Sequence, residues 1–397
     1  MNILYVTDVF PFPVRHATSV FAYNWIRSLV ERHTVSLIYL DASVQKSNLE
    51  RIEEIGVQCF TPGIQTAETG RSVSQLFRHE PTAFTSVKTK QLYRYLADFI
   101  THVSADVVVL GAPFMGVLLS CEKLPCPVIY VPSDSISLNL ASRFRFLKNP
   151  FRLAYAWLEN RKWARAEQVI FPKADACVVV SEQEASAIAK RWTTIESQRM
   201  HVIPVGVDIA YFQPSIGKEK ENHLVITGNM SPVRLVVALK WFMLSVLPII
   251  RENVPGVTLD IVGKDPHPSI VQIAKTVGGI RVTGDVPDTR TYFAEASVCI
   301  YPMLLGSGVK TNLLEAMAMS KAVVATSMCL PGLQAPINGQ LAIADDKEEF
   351  AWAVIRLLQD PKGRKVMGNA AREFIKEYHC WDSIVNDKVE NLLSSLT

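Results

Sequence analysis

The stretch that decides the fold is YPMLLGSGVKTNLLEAMAMSKAVVAT, residues 301–326. A strand pattern ends at Tyr301, a glycine turn carries Lys310, a helix pattern follows at Asn312–Met319, and a second strand pattern closes the stretch at Thr326. The N-terminus of a helix that directly follows a strand and a glycine turn is biased positive and can hold a phosphate. Glu315 is expected in the first turn of this helix, where a carboxylate can bind hydroxyl groups. The stretch therefore predicts a β-loop-α-β unit with an anion site beside a carboxylate.

Strand and helix patterns alternate from end to end on both sides of this unit. Near-continuous apolar strands separated by helices predict parallel sheets that are covered on both faces. The alternation breaks once, in GVDIAYFQPSIGKEKEN at 206–222, where glycines, a proline and a charged cluster indicate a linker. We therefore predict a first domain at 1–205, the linker at 206–222, a second domain at 223–378 and a C-terminal helix at 379–397 that packs back on the first domain.

Composition and charge exclude several classes of protein. The chain has 397 residues, 49% of them hydrophobic and 20% charged, which fits two globular domains, and its net charge of +3 is too small for a dedicated nucleic-acid binder. Its seven cysteines are odd in number and contain no CxxC pair, which argues against a disulfide framework or a zinc site and for a reducing compartment. No signal peptide is expected, and the apolar run at 235–250 is interrupted by Lys240 and Ser245 and is too short to span a bilayer. We expect a cytoplasmic protein.

Several segments together resemble one enzyme family. GSGVKTNLLEAMAMSKAVVAT at 306–326 resembles the donor-site signature of the GT-B retaining glycosyltransferases of family GT4, and VIPVGVDIAYFQP at 202–214, LDIVG at 259–263 and VTGDVPD at 282–288 resemble further family segments in the expected order. Two departures stand out. Ser307 replaces the first glutamate of the family's glutamate pair, and PFPVRHATS at 11–19 replaces its usual glycine pair.

This resemblance implies a fold and a reaction. The fold is α/β, with two Rossmann-like doubly wound parallel-sheet domains facing across a cleft, the first binding an acceptor and the second a donor. The donor is a nucleotide-diphosphate sugar, the anomeric configuration is retained, and neither a metal nor a cofactor is required. The family is usually thought to react on one face of the sugar, and the sequence offers no clear carboxylate nucleophile.

Two cations mark the predicted donor phosphates. Lys310 lies just before a helix start, where the helix dipole disfavours a cation unless an anion sits between the two. Arg234 lies at the start of a second helix, after the loop that begins at Gly228, and its guanidinium could likewise bind phosphate oxygens. The alternatives are a solvent-exposed lysine and a surface arginine.

Glu315 and its neighbours form the rest of the predicted donor site. In the family the matching glutamate holds the ribose hydroxyls, whereas a capping box with Asn312 is the structural alternative. Glycines in the loop would let peptide N–H groups approach the donor closely. The remaining residues predicted on the donor side are Gly306, Ser307, Gly308, Val309, Thr311, Asn312, Gly228 and Asn229.

The acceptor side is predicted from two strand-to-helix loops in the first domain. Asp134 follows a strand in YVPSDSISLNLASR and would face the reacting sugar, or else cap the next helix. Arg15, His16 and Thr18 occupy the loop after the first strand, where Thr18 or Ser19 would cap the following helix.

The segment 143–165 combines basic and aromatic residues. Seven of its residues are lysine or arginine, its only acid is Glu159, and phenylalanine, tyrosine and tryptophan are interleaved with them. Such a surface could contact anionic lipid or a lipid-linked acceptor at the cytoplasmic face of a membrane. A solvated basic face is the alternative, and the sequence alone favours it.

Taken together, the residues and the resemblance predict a retaining, metal-independent glycosyltransferase with Lys310, Arg234 and Asp134 as its catalytic groups. It would move a sugar from a nucleotide-diphosphate sugar to a hydroxyl of a glycan, a lipid-linked acceptor or a small molecule. Two alternatives stay open: a sugar-nucleotide epimerase of the same fold, and a non-catalytic paralogue that binds a nucleotide sugar or scaffolds an assembly.

Overall fold

The chain folds into two compact units, Met1–Ile203 with Ile384–Thr397, and Pro204–Ser383. The structure is a computed structural model, and it describes residues 1–14, 17–41, 43–64, 80–82, 84, 88–133, 135–144, 149–192, 197–214, 219–305 and 310–396. Each unit is built on one parallel sheet, which confirms the predicted α/β fold class.

The first unit has a seven-stranded parallel sheet in the order β3-β2-β1-β4-β5-β6-β7. Its strands are β1 (Asn2–Thr7), β2 (Thr34–Tyr39), β3 (Gln58–Phe60), β4 (Val107–Leu110), β5 (Val128–Ser133), β6 (Ala176–Val179) and β7 (Met200–Val202). Its helices before residue 203 are α1 (Ala17–Leu29), α2 (Lys46–Glu53), α3 (Thr89–His102), α4 (Ile136–Arg143), α5 (Pro150–Ile170) and α6 (Glu182–Arg191). The central strands are buried along their whole length, as expected for a sheet covered on both faces.

The second unit has a six-stranded parallel sheet in the order β10-β9-β8-β11-β12-β13. Its strands are β8 (His223–Thr227), β9 (Thr258–Val262), β10 (Ile280–Gly284), β11 (Val298–Tyr301), β12 (Val323–Ala325) and β13 (Ala342–Ile343). Its helices are α7 (Val233–Trp241), α8 (Leu247–Asn253), α9 (Pro268–Val277), α10 (Arg290–Glu295), α11 (Thr311–Ala318), α12 (Lys347–Gln359) and α13 (Pro361–Tyr378). The chain ends with α14 (Trp381–Ile384) and α15 (Glu390–Leu396), joined by a π-helical segment at Val385–Val389.

Each sheet has one point where the strand order reverses. In the second unit β8 and β11 are neighbours, and the chain leaves β8 toward β9 on one side but leaves β11 toward β12 on the other. In the first unit β1 and β4 play the same part. The loops that leave two such strands diverge, so a crevice opens at their carboxyl ends, which is where open α/β sheets bind ligands.

The helix between β8 and β9 is the most apolar in the second unit. It runs continuously over Val233–Asn253 with a π-helical segment at Phe242–Val246, and by length and composition it could cross a membrane. The sequence analysis expected the apolar run to be too short for that, but the helix has 21 residues. Half of its most apolar window is buried inside the unit, where Leu239, Phe242 and Leu247 join the hydrophobic core. A core crossover helix passes the same test of length and composition.

The segment predicted as a linker makes specific contacts within the second unit. The Val207 amide donates to the His379 carbonyl at 2.7 Å, and the Arg290 guanidinium stacks 3.8 Å from the centroid of the Tyr211 ring. Arg372 donates to the backbone carbonyl of Phe212 at 2.9 Å. Residues 207–212 are therefore held against the body of this unit.

The C-terminal residues belong to the first unit. His33 Nε2 lies 3.0 Å from both carboxylate oxygens of Glu390, and the Val385–Val389 segment contacts α1. The last helical segment is thus anchored beside the start of β2.

Candidate functional site

Two helices begin at the switch point of the second sheet, and both carry a cation at their start. Lys310 immediately precedes α11, and Arg234 is the exposed second residue of α7. Neither helix has a side-chain cap or an acidic residue in its first turn. A cation beside the positive end of a helix is unfavourable by itself, so this arrangement is suited to an anion that sits between them.

The surroundings of Lys310 place it at the carboxyl end of β11. Burial raises the pKa of the Cys329 thiol above its usual value, and the positive charge of Lys310 opposes that shift. The same thiol donates to the Tyr301 carbonyl at 3.4 Å. The charge of Lys310 therefore acts on a thiol that is bonded to the end of β11.

A buried hydroxyl network fixes the strand ends at this point. The Tyr301 hydroxyl donates to the Asn312 carbonyl at 2.6 Å and lies 3.3 Å from the Thr227 hydroxyl. Burial holds the pKa of Tyr301 well above its usual value, so the phenol stays neutral and can donate. The network ties the end of β8, the end of β11 and the start of α11 together, and the sequence analysis did not single out Tyr301 or Thr227.

Glycines let the loops after β8 and β9 approach each other closely. Gly228 and Gly263 have φ of +150° and +142°, and a Cβ on Gly263 would lie 1.8 Å from the Gly228 carbonyl oxygen. A Cβ on Gly228 would lie 3.1 Å from the Asn312 Nδ2 atom. The structure thus brings the predicted residues Gly228 and Asn312 together. Asn229 is exposed, and its Oδ1 accepts a hydrogen bond from the Ser231 amide at 3.0 Å, which stabilises the turn.

Glu315 lies one residue further into α11 than the sequence analysis expected. The helix begins at Thr311, so Glu315 is its fifth residue and lies outside the first turn. The capping-box alternative is wrong, because Asn312 lies inside the helix and its Oδ1 accepts from the Thr311 hydroxyl at 3.1 Å. Lys310, not Asn312, stands at the cap position.

The carboxyl group of Glu315 has no hydrogen-bond or ion-pair partner among the residues that the structure describes. Burial raises its pKa from 4.5 to about 7. Its negative charge also reaches the phenol of Tyr301, although burial dominates the pKa of that group. The second unit thus holds an acceptor group for hydroxyls close to the start of α11.

Several predicted site residues lie outside the described part of the chain. These are Gly306, Ser307, Gly308 and Val309 in the donor loop, and Arg15, His16 and Asp134 on the acceptor side. Their roles stay predictions.

The described residues around the first switch point correct two expectations and add one residue. Thr18 and Ser19 lie inside α1, which begins at Ala17, so neither caps that helix. The cap of α4 is Ser135, which accepts from the Leu138 amide, and not Asp134, which the sequence analysis offered as the alternative. Asp8, directly after β1, has a buried Oδ1 atom without a hydrogen-bond partner in the described ranges, and burial raises its pKa. A polar residue directly after an apolar strand was the signal that could have found it.

One group of metal-binding residue types occurs among the described residues, at the opposite edge of the second sheet. His223, Asp260 and Glu295 place their ligand atoms within 4.8 Å of one another beside a cavity of about 420 Å³. Both carboxylates are already paired, Asp260 with Arg281 and His223, and Glu295 with Lys220 at 2.5 Å. The group is an ion-pair network at the amino ends of the strands.

Asp260→Asn is expected to lower the free energy of unfolding by about 2 kcal/mol at neutral pH. Burial alone would raise the pKa of Asp260, but hydrogen bonds from His223 and Arg281 outweigh it and lower the pKa to about 2. A depressed carboxylate pKa stabilises the fold above the ordinary pKa of 3.8 and loses that contribution as the pH falls toward 2. Urea unfolding at neutral and acid pH measures the difference. The exposed Asp285→Asn is the control, and equal stability of the two variants would contradict the prediction.

Comparisons with known proteins agree with this geometry. A family model described as "Glycosyl transferases group 1" matches residues 221–360, and one described as "Glycosyltransferase Family 4" matches residues 18–211. An uncharacterized 44.6 kDa protein in the cps region of Klebsiella pneumoniae is 27% identical over 162 residues, which is 39% of this chain and 42% of that protein. The MMP alpha-(1->4)-mannosyltransferase of Mycolicibacterium hassiacum is 25% identical over 285 residues, covering 68% of this chain and 66% of the relative.

A solved structure shows the same fold over the whole chain. The crystal structure of Anabaena HepE in complex with UDP and glucose superposes with a TM-score of 0.67 at 17% identity and covers 100% of both chains. At that identity the likeness speaks for the fold alone.

Two Rossmann-like units in succession, with a candidate anion site at the switch point of the second, define the GT-B class of enzymes. The two family matches together span most of the sequence, and the chain belongs to the group 1 glycosyltransferases. The predicted resemblance to GT-B glycosyltransferases and the predicted enzyme class, a glycosyltransferase, are confirmed.

Proposed function

We propose that this glycosyltransferase is retaining and metal-independent, and that it moves a sugar from a nucleotide-diphosphate sugar to an acceptor hydroxyl. The observation that carries the proposal is the start of α11, where Lys310 stands before a helix N-terminus without a side-chain cap and the carboxyl group of Glu315, which has no partner among the described residues, lies nearby. The UDP and glucose bound by HepE support a donor of this chemistry.

The leaving diphosphate would be stabilised by charge at this site. When the bond between the anomeric carbon and the phosphate oxygen breaks, negative charge grows on the diphosphate. Lys310, the N-terminus of α11 and Arg234 offer positive charge in a place that is already organised before the reaction. Since the Tyr301 network fixes the start of α11 against β8 and β11, the donor groups need little rearrangement.

The nucleoside would be held by Glu315 and by the close-packed loops. A carboxylate that accepts from two hydroxyls suits a ribose, and the contact between Gly228 and the Asn312 side chain places the loop after β8 beside the start of α11. We propose that Ser307 and the other loop residues at 306–309 contact the sugar, and that Arg15, His16 and Asp134 in the first unit serve the acceptor.

Metal independence is supported by the arrangement of the carboxylates. Among the described residues, the group with metal-ligand spacing lies at the amino ends of β8 and β9, and its acids are paired with Arg281 and Lys220. The charge of the diphosphate would instead be met by cations and peptide amides. We propose a role on the cytoplasmic side of the cell in the synthesis of a glycan, polysaccharide or glycoconjugate, consistent with a relative in a cps region.

The proposal is tested by offering the purified protein a panel of UDP-, GDP- and ADP-sugars. The cognate donor should raise the melting temperature, because a ligand that binds only the folded state stabilises it. Slow release of free sugar and nucleotide diphosphate should follow, it should persist in EDTA, and NMR of the freshly released sugar should show the anomer of the donor.

Each other outcome points to a different protein. Stabilisation without release of nucleotide diphosphate would indicate the non-catalytic alternative, and conversion of the bound sugar without release would indicate the epimerase. Release that EDTA abolishes and Mg²⁺ restores would overturn metal independence, and an inverted anomer would overturn retention.

A further inference from the structure

The start of α5 exposes large apolar side chains, and every residue from Phe151 to Tyr155 is exposed. Phe151 is 85% exposed and Trp157 is 47% exposed, and Leu153, Tyr155 and Leu158 are exposed as well. These five side chains fall within eight residues, and no other described segment concentrates exposed large hydrophobic residues in this way. Exposed apolar surface of this density usually marks an interaction site.

This end of α5 is a firmly formed helix. Asn149 caps it, with its Oδ1 accepting from the amides of Phe151 at 2.9 Å and Arg152 at 3.1 Å. Pro150 occupies the first helical position, where its fixed backbone angle favours helix initiation. The apolar side chains are therefore presented on a stable scaffold.

Both acids of α5 are buried and engaged inside the unit. Glu159 accepts from the hydroxyl of Thr82 at 2.7 Å and from Lys162 at 2.9 Å. Glu167 accepts from the hydroxyls of Ser135 and Ser137. The acids thus hold neighbouring segments against α5 and add no charge to its outer surface.

The exposed charges of α5 are consequently all positive. They belong to Arg152, Arg161 and Arg165, and Arg191 of α6 lines a cavity of about 300 Å³ together with Arg161 and Arg165. The Arg161 guanidinium lies 4.8 Å from the centroid of the Trp157 ring. Aromatic and cationic groups therefore lie close together on this helix.

Charge decides which partner fits this surface. A second copy of the chain would bring the same arginines against each other in a two-fold interface, which is repulsive. A bilayer with anionic headgroups would accept the apolar side chains at the acyl boundary, the aromatic rings at the interface, and the arginines among the headgroups. Each basic residue near such a surface strengthens binding about fivefold.

We propose that the exposed surface of α5 between Phe151 and Arg165 docks this protein on a membrane surface rich in anionic phospholipid. The proposal does not depend on the identity of the donor or on the chemistry of sugar transfer. It assigns a function to exposed groups that the donor site does not use.

The test is sedimentation of the full chain with vesicles of phosphatidylcholine alone or of phosphatidylcholine with phosphatidylglycerol. The wild type should bind only the anionic vesicles. Phe151→Ser combined with Trp157→Ser should weaken binding at least about tenfold, because two large apolar side chains no longer enter the interface. Trp352→Ser is the matched control, since that tryptophan is 50% exposed on α12 in the other unit, and it should bind like the wild type.

A second set of variants separates the charge from the apolar contribution. Replacement of Arg152, Arg161 and Arg165 by serine should weaken binding to anionic vesicles about 100-fold and remove most of its salt dependence. Replacement of the exposed Lys347, Lys362 and Lys365 by serine is the control and should change binding little. All of these variants should keep the donor hydrolysis rate of the wild type, so failure of membrane docking and failure of the proposed function are distinguishable.

Several outcomes would overturn the proposal. One is a wild type that ignores anionic vesicles, and another is binding that both sets of α5 variants leave unchanged. A dimer in light scattering that Phe151→Ser with Trp157→Ser converts to a monomer would show that a second copy covers this face. Should those variants fail to fold, quenching by brominated lipids decides instead, because Trp157→Phe must then reduce the quenching seen with the wild type.

Discussion

Lys310→Ala should lower the rate of donor hydrolysis and of sugar transfer by about 10²-fold or more while leaving the fold intact. Lys310 stands at the cap position of α11, where no side chain caps the helix and its first turn carries no acid. Its ammonium would meet the negative charge that grows on the leaving diphosphate, and it does so with the helix N-terminus already in place. Since charge on the diphosphate is larger in the transition state than in the bound donor, kcat should fall more than binding weakens.

Two further variants give this experiment its contrast. Lys310→Arg keeps the charge but changes the shape of the donor group, so we expect activity between those of the wild type and the alanine variant. Lys365→Ala removes an exposed lysine from α13 and should leave both rate and stability unchanged. Turnover of Lys310→Ala at the wild-type rate would remove Lys310 from the mechanism and with it the main support for the phosphate site.

Local patterns were sufficient to predict the unit that carries the site. Apolar strands β8, β11 and β12 were visible as short β-branched runs, and the helix after the glycine turn was predicted to within one residue of its observed start. That single residue matters, because a start at Thr311 instead of Asn312 moves Asn312 into the helix and excludes the capping box. Boundaries depend on the backbone angles of one residue, which side-chain periodicity does not report.

Contacts between distant parts of the chain could not be predicted from local sequence patterns. The Tyr301 hydroxyl meets Thr227 across 74 positions of sequence, and Gly263 meets Gly228 because two loops happen to leave neighbouring strands at the same edge. Such pairs depend on the strand order, which the sequence predicts only as a class. Gly263 in LDIVG belongs to a family segment, but the sequence does not show why a glycine is needed there. The structure does, because any side chain at Gly263 would collide with the carbonyl oxygen of Gly228.

The surface of α5 shows a different limit. The sequence shows that the segment 143–165 is basic and aromatic and contains one acid. It does not show which of these side chains are exposed to water. Burial of Glu159 and Glu167, together with exposure of Phe151 and Trp157, is the observation on which we propose an interfacial surface instead of a solvated basic face. The decisive fact is the direction of each side chain, which the alternation of residue types does not contain.

Glu315→Gln should make the protein more stable at alkaline pH and a poorer binder of its nucleotide. Burial raises the pKa of Glu315 from 4.5 to about 7. Below pH 4.5 the group is protonated in both the folded and the unfolded chain, so it does not affect the free energy of unfolding. As the pH rises from 4.5 to about 7 the unfolded chain loses this proton while the folded chain keeps it, and stability falls. Above about pH 7 the penalty is complete, and the neutral glutamine should recover about 2 kcal/mol of it.

The same substitution acts in the opposite direction on binding. Ribose hydroxyls that donate to the carboxylate favour its charged form, and hydrogen bonds to a charged group contribute about 1.5–3 kcal/mol, so the glutamine variant should bind the nucleotide roughly 10- to 100-fold more weakly. Urea unfolding across the pH range and calorimetric titration with nucleotide diphosphate measure the two effects, and Glu252→Gln, an exposed position on α8, serves as the control. A carboxylate with a purely structural role would lose stability on substitution and leave binding unchanged. The two opposite signs together are what a hydroxyl-binding group without a protein partner requires, and a variant that binds nucleotide like the wild type would assign Glu315 to the fold instead of the donor.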